Sequence, residues 1–264
     1  MNPPKANLFQ QLAAISRNTF REAVRDRILY NLVIFVLLIS ASAIFLGELT
    51  AGQERRVIVN LGLSSVLLFG AFIAIFVGVS LVWKEIEKRT VYSIFAKPVG
   101  RGTFIVGKYL GLCLTLLVNI LIMGLGVTLA LLYVGGGRFV GPVWASVLLI
   151  FLELTVITAV AIMFSSFSTP ALSALLTFFV FLIGHFSTSL LEFATTIGSR
   201  SAVLLFSAIY YLLPNLSHFS FITNSANGEI PSVSMLAGAA AYALFFDAIL
   251  MTITVMIFNR RNFK

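Results

Sequence analysis

The chain has 264 residues, of which 59% are hydrophobic and only 11% charged, with a formal net charge of +8. Soluble domains carry about 25% charged residues and about 45–50% apolar ones, so this composition, gathered into runs of twenty or more, excludes a soluble fold and predicts an all-α integral membrane protein. The single cysteine, Cys113, excludes an internal disulfide and a thiol metal site, and the absence of a separate basic domain argues against a nucleic-acid partner.

In residues 1–27, Leu8, Leu12, Ile15 and Thr19 recur at helical spacing, and Arg17, Arg21 and Arg25 recur every four residues on another face. This pattern predicts an amphipathic helix lying at the cytoplasmic face of a bilayer. The first apolar run begins near Ile28, is long enough to span, and lacks a small-residue cleavage site, so no cleavable signal peptide is expected. Six spans are predicted within a transmembrane domain at 28–258: about 28–47, 61–83, 110–134, 143–165, 171–191 and 235–258, with a basic tail at 259–264. GGGRFVGP at 135–142 reads as a tight turn, and Pro170 is well placed to open the fifth span.

Between spans two and three, residues 84–108 hold six of the eighteen basic residues. Lys or Arg at the centre of a spanning helix costs about 2.5–3.5 kcal/mol, so this connector belongs in water or among headgroups. With the N-terminal arm and the tail it gathers fourteen basic residues on one side. Arg55, Arg56, Arg138 and Arg200 fall on the other. The positive-inside rule places both termini and the connector in the cytoplasm, in accord with an even number of spans.

The outer connector, 192–234, contains the apolar run AVLLFSAIYYLL at 202–213, followed by Pro214 and Asn215. Twelve residues are too few to span, so a re-entrant or an interfacial segment is expected, packed on the outer ends of the spans and helping to close the outer mouth. Glu153, His185 and Asp247 fall inside predicted spans, where ionisable groups are costly and face a bundle interior or a wet cavity. Two readings stay open for them: a substrate or proton pathway, or structural carboxyls hydrogen-bonded across helices to partners such as Asn119.

Several motifs fail on inspection. Gly102 to Lys108 fits G-x-x-x-x-G-K, but Tyr109 replaces the hydroxyl that would hold magnesium, and the segment enters a membrane helix. Nucleotide binding, and an ATPase domain in this chain, are therefore not expected. The two histidines form no H-E-x-x-H, and there is no G-x-S-x-G. Gly107 and Gly111 form a G-x-x-x-G at the start of the third span, a weak signal for close helix contact.

The run from Glu87 through Thr90, Pro98, Val99 and Arg101 to Gly107-Lys108 resembles the coupling region of ABC-transporter permeases of the type-2 exporter superfamily. Arg89 before the threonine, and YYLLPN at 210–215, are similar to the subgroup linked to multi-copper enzyme and nitrous oxide reductase maturation. The resemblance implies a permease without its own ATPase or cofactor, in a prokaryotic cytoplasmic membrane. It would be paired with a second permease, identical or homologous, and with two ATPase subunits that bind ATP and Mg. It leaves room for a periplasmic or accessory subunit. Residues 90–96 would form a coupling helix seated in a groove of the ATPase. Val91, Tyr92, Ile94 and Phe95 would be its apolar anchors, with Glu87, Arg89 and Arg101 around them, and Pro98 would end the helix sharply. Two other readings remain: a proton-coupled secondary transporter using Glu153 and Asp247, and a non-transporting membrane anchor of an assembly complex.

Overall fold

A computed structural model describes residues 8–25, 27–48, 50, 52–87, 100–197 and 200–260. Among these every regular element is a helix: α1 (Leu8–Val24), α2 (Arg27–Glu48), α3 (Glu54–Glu87), α4 (Arg101–Tyr133), α5 (Val140–Ser165), α6 (Pro170–His185), α7 (Ser187–Ile197), α8 (Arg200–Leu212), α9 (Ile222–Ala226) and α10 (Val233–Arg260), with 3-10 turns at Gly137–Phe139 and Leu216–Phe219. Arg89, Thr90, Val91, Tyr92, Ile94, Phe95 and Pro98 lie outside the described residues, and of Glu87 only the backbone is described.

Four stretches are long and apolar enough to cross a membrane: Glu54–Leu81, Arg101–Tyr133, Gly137–Ser165 and Val233–Arg260. Val203–Leu212 and Leu216–Ala226, bent by 57° at their break, would together make a fifth. Val36–Phe45 and Pro170–His185 are shorter apolar helices. The chain is thus a multi-pass helical membrane protein with four or five candidate spans, where the sequence alone suggested six.

Two of the expected spans, 28–47 and 171–191, correspond only to the shorter apolar helices Val36–Phe45 and Pro170–His185, and the second falls short for a local reason. The stretch expected to run from 171 to 191 stops at His185. Phe186 leaves helical geometry at φ −99° and ψ 7°, and Ser187 gives its hydroxyl to Asn215 Oδ1 at 2.6 Å instead of to its own helix. Such side-chain bonds compete with helix continuation. Pro170 does open α6, at its first turn, where a missing N–H costs nothing.

Two other helices run past their expected limits. α3 and α4 have 34 and 33 residues, about 50 Å each at 1.5 Å per residue, against a hydrocarbon core of about 30 Å. The overhang is where the charges sit: Glu54, Arg55 and Arg56 in the first turn of α3, Arg101 and Lys108 in the first turns of α4. α4 ends in a Schellman turn, with Gly135 at φ 69°, its N–H donating to Leu132 O at 3.1 Å, and Gly136 N–H donating to Leu131 O at 2.8 Å. Only glycine takes that backbone region without steric cost.

α5 is apolar over most of its surface and largely enclosed, with Leu148 left exposed. Leu149, Leu154, Val156 and Ile157 have no exposed surface. α3 and α10 pack along it, α2 and α4 pack on α3, and α1 lies along the first half of α4. The outer connector packs differently from expectation. α8 rests chiefly on α7, with Leu204, Leu205, Tyr211 and Leu212 exposed. The following stretch grips the bundle instead: α9 packs on α3 and α5, and Ser225 Oγ bonds Ser146 Oγ at 2.7 Å and donates to Pro142 O at 3.0 Å.

Candidate functional site

Two places concentrate polar chemistry, one at each end of the bundle. At the first, α1, the start of α4 and the end of α10 are tied together. Arg101 Nη1 donates to the carbonyls of Phe258 at 3.4 Å and Asn259 at 3.1 Å, which serves carbonyls that have no partner within their own helix. Phe104 stacks on Phe258 with ring centres 6.3 Å apart. Lys108 is 1% exposed, and its Nζ donates to Glu22 Oε2 of α1 at 3.3 Å while lying 5.8 Å from the Phe104 ring centre.

α1 can come this close because α4 carries glycine where it crosses. A Cβ at Gly107 would meet Ile15 Cγ2 at 2.7 Å, and one at Gly111 would meet the Ser16 carbonyl oxygen at 2.6 Å. Ser16 Oγ donates to Gly107 O at 3.0 Å across the same contact. The weak G-x-x-x-G signal therefore seats the N-terminal helix. Ile15 and Thr19 of the expected apolar stripe face α4, whereas Leu8 is 66% exposed and Arg17, Arg21 and Arg25 stay on the open face. The chain from Glu87 to Gly100 joins the end of α3 to this three-helix platform.

Towards the other end, Glu153 of α5 is buried, and His185 at the end of α6 meets it, Nδ1 to Oε1, at 3.2 Å. His185 keeps 26% of its side chain exposed. It stands between the rings of Phe181 and Phe186, at 5.6 and 6.3 Å between centres. The exposed edge opens into a groove of about 430 Å³ between α3, α6 and the 220–223 stretch. Asn60, Ser64, Ser220 and Thr223 supply its polar lining, and Leu67, Leu68, Phe181 and Ile222 its apolar wall.

Asp247 lies elsewhere. Its carboxyl faces Tyr109 of α4 and Thr155 of α5, and its Oδ1 has no hydrogen-bond partner. Residues 153 and 155 point about 200° apart around a helix of 3.6 residues per turn, so Glu153 and Asp247 sit on opposite flanks of α5. Asn119, expected to serve one of these carboxyls, donates to Thr115 O of its own helix at 2.7 Å. Among the described residues no group of three His, Cys, Asp or Glu could hold a metal ion.

Sequence reasoning picked out Arg101, Glu153, His185 and Asp247, but not the residues that complete their surroundings. Glu22, Ser16 and Phe258 at the platform, Tyr109 and Thr155 beside Asp247, and the four polar groove residues come from distant parts of the chain. The two glycines were the one local clue to the α1 contact.

No curated protein matches the sequence. A family model described as an ABC-2 family transporter protein matches residues 13–262, which takes in α2 to α10 whole and most of α1. With a helical membrane bundle over the same residues, this chain belongs to the ABC-2 family of transporters, as a membrane-embedded permease.

Proposed function

We propose that the chain is the permease subunit of an ATP-driven exporter, which forms the translocation pathway and takes its motion from a separate ATPase through the stretch 84–108. Two permeases, identical or homologous, pair above two ATPase subunits that hold ATP and Mg. This chain contributes no catalytic residue and no cofactor of its own. α2 and the α6–α7 pair complete six spans around α3, α4, α5 and α10, with both termini in the cytoplasm of a prokaryote. The likeness of YYLLPN to maturation-type permeases extends the reading to metalloenzyme assembly as the setting.

The observation that carries this is the platform. A push delivered at 88–99 reaches α4 at Gly100, and the first turn of α4 is tied to α10 by Arg101 and to α1 by the Lys108–Glu22 pair. Three helices then move as one body, which is what a rigid-body switch between inward- and outward-open states requires. The rival proton relay through Glu153 and Asp247 finds no support in their placement on opposite flanks of α5 with different partners.

The experiment is co-purification. Tyr92→Asp with Phe95→Asp puts two charges into an apolar ATPase groove and is expected to abolish recovery of the ATPase with the permease, while the permease itself still expresses. Full ATPase retention and normal transport in that double variant would refute the docking assignment.

A further inference from the structure

The groove beside His185 is set apart by four polar side chains that share one space without bonding among the described residues. Many serine and threonine hydroxyls of the bundle return to the carbonyl one turn back: Ser40, Ser65, Thr115, Thr158, Thr177 and Thr254 do so at 2.6–2.9 Å, as do the exposed Ser42 and Thr252. The hydroxyls of Thr19, Ser168 and Ser173 are buried without a partner, but none of them lines this groove. The side chains of Asn60, Ser64, Ser220 and Thr223 make no such bond among the described residues, and all four line one groove. Asn60 and Ser64 are four apart on α3, hence on one face. Ser220 and Thr223 close the groove from across the chain. Three of the four, Ser64, Ser220 and Thr223, are exposed, so donors and acceptors from two walls face one accessible space and can pair with a ligand there.

The charge of the lining selects the ligand. No Lys, Arg, Asp or Glu lines the groove among the described residues, and His185, which does, is bonded to Glu153. A phosphate or sulfate head would find no Lys or Arg there, and the imidazole is already engaged by the Glu153 carboxyl. His185 uses Nδ1 on Glu153 and keeps Nε2. If a neutral imidazole gives Nδ1–H to Glu153, Nε2 accepts a hydrogen bond from the ligand; if the imidazole is protonated, or the carboxyl donates to Nδ1, Nε2–H donates. A hydroxyl, which donates and accepts, matches both states. Serine, threonine and asparagine share that versatility. Leu67, Leu68, Phe181 and Ile222 add an apolar wall for a hydrocarbon tail.

We propose that this groove binds an uncharged, hydroxyl-bearing amphiphile, with its polar head on Asn60, Ser64, Ser220, Thr223 and His185 and its tail along the apolar wall. The proposal names a cargo class for the permease and rests on that reading. The test scores binding alone, without nucleotide, so the two can fail separately.

The permease, purified with its ATPase partner in lipid nanodiscs, is photolabelled with octyl glucoside carrying a diazirine in its tail, and the labelled peptides are mapped. Labelling is expected on the segments that carry Ser64 and 181–186, to be displaced by unlabelled octyl glucoside, and to resist octyl sulfate. Asn60→Leu with Ser64→Val should weaken it about tenfold for two lost hydrogen bonds. Ser220→Ala with Thr223→Val should do the same from the other wall. Thr252→Ala, on α10 and outside the groove lining, should leave it unchanged. Equal displacement by octyl sulfate, or labelling spread over lipid-facing helices and indifferent to both double variants, would overturn the proposal. So would disulfide formation between Ser64→Cys residues of two copies in a Cys113→Ala background with no labelling, because the groove would then be a contact between subunits.

Discussion

At Gly111 a single hydrogen stands where a methyl would meet the Ser16 carbonyl oxygen at 2.6 Å and the Thr19 Cβ at the same distance. The backbone of α1 cannot give way as the end of a side chain could, so the helix has to move. Overpacking of this kind costs about 1–3 kcal/mol. Gly111→Val is therefore expected to lift α1 off α4, and limited trypsin digestion should then cut faster at Arg17 and Arg21 while the spans stay intact. Unchanged digestion would mean that α1 is held by something other than this seat. Asp247 poses the opposite case. It is 7% exposed, with Tyr109 and Thr155 as neighbours and one oxygen unbonded. Asparagine has its shape without its charge, so Asp247→Asn should express, melt and transport close to the parent. A folded but inactive variant would move Asp247 from packing to the pathway.

Among elements, Asn215 ties the middle of the outer connector to its neighbours. Asn215 Oδ1 accepts from Ser187 Oγ at 2.6 Å, Ser217 Oγ at 2.6 Å and Ser217 N–H at 3.1 Å, and its backbone N–H donates to Tyr242 Oη at 2.7 Å. That one residue joins the start of α7, the 216–219 turn and α10. Asn215→Leu removes the acceptor from three donors, one in a buried contact and two in part-buried ones, at about 1–3 kcal/mol for each buried group left unsatisfied. Thermal unfolding of the purified complex should show the loss. Asn215→Asp retains the accepting oxygen and should lose less. A melting temperature equal to the parent's for Asn215→Leu would show that the connector is held by its apolar contacts alone. The same knot explains why α6 is only 16 residues long: Ser187 is drawn to Asn215, so the helix turns where a longer span had been expected.

For the molecule as a whole, the helix directions sort the charges. Arg55, at the start of α3, lies over the turn that ends α4, its Cγ 3.6 Å from the place a Gly136 Cβ would take. Arg55 and Arg138 thus share one end, and Arg101, Lys108 and the end of α10 share the other. If the positive-inside rule holds here, Ser232→Cys in a Cys113→Ala background should react with a membrane-impermeant maleimide in intact cells. Lys97→Cys should react only after permeabilisation. The reverse pattern would invert the orientation and remove the coupling stretch from reach of any cytoplasmic ATPase.

The sequence by itself determined the class. Apolar runs of span length leave a chain no choice but helices in a bilayer, because hydrocarbon offers the backbone no other partners. Charged stretches must lie outside the hydrocarbon for the same reason, and the spacing around Glu87, Pro98 and Lys108 carried the family resemblance. Tertiary structure decided who meets whom. Gly107 and Gly111 could have faced lipid; the fold sets α1 on them. Glu153 could have sought Asn119; it meets His185, and Asn60, Ser64, Ser220 and Thr223 converge on one groove from residues as far as 163 positions apart in the chain. In a membrane every helix face is apolar enough to be either lipid-facing or buried. Periodicity therefore cannot tell the two apart, and close packing with hydrogen bonds between distant helices makes the choice.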